Sequence, residues 1–207
     1  MRNTSRVSVV AVLAATFALS SMSAQAQNVR VRGTIEKHDG NVLMVKSRDG
    51  AELKLMLKDN VRIAGVVKAS LADVKTDSNV AITSRPRADG TLEAFELRIA
   101  PAGQPFNSFH SEWDLMPNSF MTNGSLQTSI AGVDGQTLTV KYKVTGKPDE
   151  EKKLIVTPKT IIATTVPGTK DDLKPGLKVF VAGAPKLPDG SLDVAAIQVE
   201  KEIPPPQ

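Results

Sequence analysis

The second half of this chain repeats the first, and no other feature restricts its folds as strongly. Residues 39–46, DGNVLMVK, match 134–141, DGQTLTVK. Residues 70–82, SLADVKTDSNVAI, answer 169–181, TKDDLKPGLKVFV, and 89–99, DGTLEAFELRI, answer 189–199, DGSLDVAAIQV. The offsets are 95, 99 and 100, so order is kept and the second copy gains residues around Lys143–Glu151. Within each copy the hydrophobic period is two, as in a strand with one buried face. Val29, Val31, Gly33 and Ile35 alternate with Arg30, Arg32, Thr34 and Glu36, and Leu53, Leu55 and Leu57 alternate with Lys54 and Met56. Asp-Gly pairs at 39–40, 49–50, 89–90, 134–135 and 189–190 mark hairpin turns, where glycine takes positive φ without a Cβ clash. One segment per copy, Lys68–Val74 and Lys170–Leu173, opens with Ser, Thr or Asp residues suited to capping and predicts a short helical turn.

Three strands, a helical turn and two more strands per copy predict an all-β protein of two tandem five-stranded OB-like barrels. Units of roughly 70–80 residues are near the size at which one core still suffices. The expected division is unit one over 27–100, a connector over 101–121, unit two over 122–202 and a short extended Pro-rich tail over 203–207.

Met1–Ala26 has the layout of an export signal: Arg2 and Arg6, an uncharged apolar run over Val7–Ser20, then Ala24-Gln25-Ala26. The run is 14 residues long, whereas spanning a bilayer needs about 20. Cleavage after Ala26 and a periplasmic location are therefore expected, with no membrane span in the mature chain. Removing the leader takes two arginines from 26 basic residues against 22 acids, leaving +2. That near-neutral charge argues against a nucleic-acid partner. The absence of cysteine excludes thiolate chemistry, Cys-ligated zinc and iron–sulfur clusters. With only two histidines and no complete nucleophile, base and oxyanion set, the chain reads as a non-enzyme.

Three places carry chemistry. The connector, PAGQPFNSFHSEWDLMPNSFM, holds Phe106, Phe109, Trp113 and Phe120 beside His110, Glu112 and Asp114. Its aromatics suit either a stacking platform for a ligand or a brace between two barrels, and packing is the commoner use of buried aromatics. His110, Glu112 and Asp114 also alternate as ligands on one face of an extended segment would, though no fourth zinc ligand is identifiable. On the first unit, Met44 and Met56 share a face with His38, a soft donor set suited to copper. That face also carries Arg30, Arg32, Lys46 and Lys54, either a surface for an extended anionic polymer or an ordinary solvated face. The expected protein has no cofactor, with copper or zinc as the alternative. It is a monomer or weak oligomer that binds an envelope protein or ligand.

The opening Gly33-Thr34-Ile35, the DG-x-x-L-x-V-K strands, L-K-x-G-x-x-V-x-V at 173–181 and DG-[ST]-L occur together here. This set resembles a family of exported bacterial proteins built on an OB-like domain of unknown function. SEWDLMPNSFMTNGS at 111–125 is similar to its two-unit proteobacterial members, some automatically labelled metal ABC transporter permease. That label does not suit a chain without predicted spans. The likeness covers Val29–Glu200 and implies a fold but no activity. Copy one departs from the pattern at Thr76-Asp77, where copy two has Pro175-Gly176, so a differently built turn is expected there.

Overall fold

The computed structural model describes residues 28–133 and 135–206; the expected leader lies outside them. The described chain is all-β. Its strands are β1 (Asn28–Asp39), β2 (Val42–Ser47), β3 (Glu52–Lys68), β4 (Asn79–Pro86), β5 (Leu92–Ile99), β6 (Phe109–Trp113), β7 (Ser119–Gly132), β8 (Gly135–Tyr142), β9 (Glu150–Pro167), β10 (Lys178–Pro185) and β11 (Leu192–Glu200). Single 3-10 turns, Leu71–Asp73 and Lys170–Asp172, separate β3 from β4 and β9 from β10. In each, a carboxylate accepts the backbone N–H at the start of the turn, Ser70 to Asp73 at 2.8 Å and Thr169 to Asp172 at 2.7 Å. Among the described residues no helix is long and apolar enough to cross a membrane.

Five strands close into a barrel: β1 pairs with β2 and β10, β2 with β3, β3 in parallel with β11, and β11 with β10. The other long strands pair in the same circuit, β7–β8–β9–β5–β4 and back to β7, with β9 and β5 parallel. The pairings cross the repeat boundary. Instead of one barrel over 27–100 and another over 122–202, the first three strands of each copy close with the last two of the other. The two cores are mixed accordingly. Ile35, Leu43, Val45 and Leu55 pack with Val181, Leu192 and Val194 in one. Leu126, Leu138, Val140 and Leu154 pack with Val80, Ile82 and Leu97 in the other.

Strand length allows this exchange. β3 has 17 residues, a span of roughly 55 Å at about 3.3 Å per residue, long enough to leave one ring and deliver the chain to the next. Where β3 and β9 cross, Ala64–Lys68 pair antiparallel with Ala163–Pro167. Near this crossing Arg98 donates to Gln198 Oε1 at 3.0 Å, a contact between corresponding positions of the two copies, and to its buried neighbour Glu96 at 2.6 Å.

One local expectation changes, and two segments are placed more specifically than the sequence required. The turn at Thr76-Asp77 keeps the shape of its counterpart, because Asp77 takes φ +65° where Gly176 has φ +90°; a short acid tolerates that region better than most side chains. The connector is not merely a link: it contributes β6, which pairs with Ser119–Asn123 of β7 on the edge that β8 takes over from Ser125. The tail does not stand clear of the molecule, since Pro205 and Pro206 are buried and help line a groove with Met116 and Ile161.

Candidate functional site

β6 alternates like any strand, so its two faces do different things. Trp113 and Phe109 lie on one face, 6.4 Å apart between ring centroids. Arg30, from β1, stacks its guanidinium 4.0 Å from the Trp113 ring centroid, and Arg32 approaches both Trp113 (5.7 Å) and Phe180 (5.1 Å). Asp114 receives Arg30 at 2.7 Å and Arg32 at 2.8 Å on separate carboxylate oxygens. Arg48 donates to the carbonyls of Asp114 and Leu115 at 2.9 and 3.1 Å. The connector is thereby clamped to the first barrel, while β6 stays hydrogen-bonded to β7 of the second ring. This is a brace: cation–π and charge-assisted contacts hold two bodies together through one short segment.

The brace uses much of the expected cationic face. Arg32 is 6% exposed, whereas Arg30 stays exposed; both serve Asp114. Lys46 and Lys54 stay exposed on β2 and β3. Burial pushes the Asp114 carboxyl up, but the hydrogen bonds and charges of Arg32 and Arg30 outweigh it and hold it at about 2. A carboxyl held below its ordinary value contributes stability above that value and loses it as pH falls toward about 2. Trp113 is the sole tryptophan, so its emission reports the clamp directly. Acidification from pH 5 to pH 2 is expected to shift that emission as Arg30 lets go. Asp114→Asn is expected to show the shifted emission already at neutral pH, with about 1 kcal/mol or less of stability lost, because the carboxylate is half in water. Emission identical to wild type at neutral pH would remove the clamp.

The proposed metal sets do not assemble. A bulge between Ile35 and Lys37 changes the phase of β1, so Lys37 rather than Glu36 lies opposite Met44, and His38 lies opposite Leu43 on the other face. The His38 Nε2 contacts the Gly40 carbonyl at 3.0 Å. Met44 faces Lys54 and Met56 faces Val42, which makes the methionines diagonal neighbours on a half-buried outer face. His110, Glu112 and Asp114 also part company: Asp114 turns to the arginines, Glu112 is exposed, and His110 faces the second ring. Among the described residues no three His, Asp or Glu side chains converge as metal ligands would.

His110 belongs to a different group of residues. Its Nδ1 contacts Thr122 Oγ1 at 2.9 Å, its ring stacks on Phe120 at 5.5 Å and 9°, and Tyr142 tilts against it at 5.5 Å. Tyr142 donates to Glu150 at 2.6 Å. Desolvation and the neighbouring Lys152 charge lower the His110 pKa, with Glu150 partly opposing, so the imidazole is neutral at pH 7. Burial, then the hydrogen bond and charge of Glu150, push the Tyr142 hydroxyl up to about 12. Beside this group opens a cleft of about 570 Å³, lined by His110, Phe120, Leu92, Ile155, Lys152 and Lys153 among others. Ser84, fully buried, lies directly across the β4–β7 pair from Phe120, and its Oγ has no hydrogen-bond partner.

Sequence reading reached His110 and Phe120 but missed Ser84, Thr122, Tyr142 and Lys152. A signal existed for one of them: Lys152 of β9 stands where β3 has Leu53, a charge at a core-facing position of the repeat. No family model, curated protein or solved structure matches the chain.

Proposed function

We propose that this chain is a non-enzymatic, exported binding protein whose ligand enters the cleft at one end of the second ring. One observation carries the reading: the two rings share a pairing scheme but are finished differently at corresponding ends. In the first barrel the positions across the pairs are Val29, Val31, Leu53 and Ala184, all packed on the core. In the second ring the same positions hold Phe120, Thr122, Lys152 and Ser84. Aliphatic side chains plug one end. At the other a half-buried lysine and a stacked aromatic pair line an open concavity, the mix of apolar wall and few polar groups of a small-molecule site.

The signal-like sequence pattern of Met1–Ala26 and the resemblance to exported two-unit proteins support a place in the envelope, and the OB-like order of strands supports a binding role by analogy of fold. The connector then serves as a brace that holds the two exchanged OB-like barrels as one body. An amide-resolved NMR titration with a fragment set spanning anionic, neutral and cationic members tests this. Saturable shifts confined to Leu92, His110, Phe120, Lys152 and their neighbours are expected for some members. A cleft that no member perturbs at millimolar concentration would overturn the proposal.

A further inference from the structure

We infer that the ligand of this cleft is a small amphipathic carboxylate, its charge held by Lys152 and its apolar body lying against Phe120, Leu92 and Ile155. The inference rests on the binding role proposed above and goes on to name the chemistry. Charges around the cleft divide into those already spent and those left over. Lys141 and Lys143 share Asp149, and Arg87 reaches Glu93. Glu150, two residues from Lys152, accepts the Tyr142 hydroxyl and keeps its charge, but makes no ion pair with Lys152. Neither Lys152 nor Lys153 has an ion-pair partner among the described residues.

A lysine at a core-facing position of the strand, with no ion-pair partner, is an unusual element of a barrel end that serves only packing. The first barrel shows the cheaper solution, Leu53. A carboxylate offers the Lys152 ammonium an acceptor and a counter-charge. Phe120 and His110 already stack on each other, and beside them Pro86, Leu92 and Ile155 give an apolar wall sized for a ring or a short branched chain rather than a polymer.

Three probes of one shape separate the possibilities: benzoate, benzamide and benzylammonium, titrated into the purified protein and followed by the amides of Leu92, His110, Phe120 and Lys152. Benzoate is expected to bind roughly tenfold more tightly than benzamide, the effect of one charge-assisted hydrogen bond, and benzylammonium not at all. Lys152→Met keeps the aliphatic stem, resembles the leucine of the first barrel and is expected to fold. In it the preference for benzoate is expected to vanish while benzamide binding is kept. Lys152→Glu is expected to reverse the order of the charged probes. Equal binding of benzoate and benzamide to the wild type, or a preference that survives Lys152→Met, would overturn the carboxylate while leaving the cleft a binding site. Silence of the cleft amides to all three probes, and to the wider fragment set, would overturn both.

Discussion

Gly124→Ala is expected to destabilise the protein by about 3 kcal/mol, the upper end of overpacking costs, and to lower its melting temperature by roughly 6–12 °C for a chain of this size. A Cβ built on Gly124 would stand 2.1 Å from the Lys141 carbonyl oxygen and 3.0 Å from a Val140 methyl. Gly33, at the corresponding place in β1, would meet the Lys46 oxygen at 2.3 Å and Val45 at 2.7 Å. The obstacle is backbone in each case, so the strand itself must move. Replacing glycine also restricts the unfolded chain, which favours folding by about 0.4–1 kcal/mol, too little to offset such a clash. The two glycines sit where the first strand of each ring bends most closely over the second, and the rings close because nothing projects there. Gly33→Ala is expected to act alike, and thermal unfolding of both variants checks the point. A loss under about 1 kcal/mol in either would mean that the strands are less tightly apposed than described.

Much of this was legible in the repeat. Period-two alternation gave Val31, Ile35, Leu43, Val45 and Leu55 as core, and all are buried. The Asp-Gly pairs mark hairpins, and Gly90 and Gly190 take φ +81° and +85° at matching turns. The destination of each strand was not legible, because a local pattern specifies which face of a strand is buried but not which copy of a repeated partner covers it. The same limit explains the site residues. Trp113 and Asp114 were recognisable as unusual, yet their service to Arg30 and Arg32 depends on a docking that no spacing reveals. His38 failed for a local reason: a single bulge in β1 reverses the alternation that placed it beside Met44. His110 was found, but its companions come from β4, β7, β8 and β9, and only the exchanged pairing brings Ser84 of copy one to Phe120 at the start of β7.

That exchange makes a second large effect. Expressed separately, residues 28–100 and 101–206 are each expected to lack a cooperative unfolding transition; mixed, they are expected to form a one-to-one complex that unfolds in a single step. Each fragment holds three strands of one ring and two of the other, and both parallel pairs, β3 with β11 and β5 with β9, run between fragments. Self-closure of the first fragment would set its own β4 and β5 where β10 and β11 now lie. Ser84 would then stand opposite Val29 in place of Ala184. Glu96 and Arg98 would take the places of Ala196 and Gln198 beside β3, separating Arg98 from the glutamine it now reaches. Residue complementarity therefore favours closure with the other copy over closure at home. Circular dichroism melts and light scattering on the separate and mixed fragments decide the matter. A monomeric 28–100 fragment with its own cooperative melt would show that the pairing follows the repeat after all; a mixed complex would show that the two halves fold only through each other, which is also what assembles the cleft.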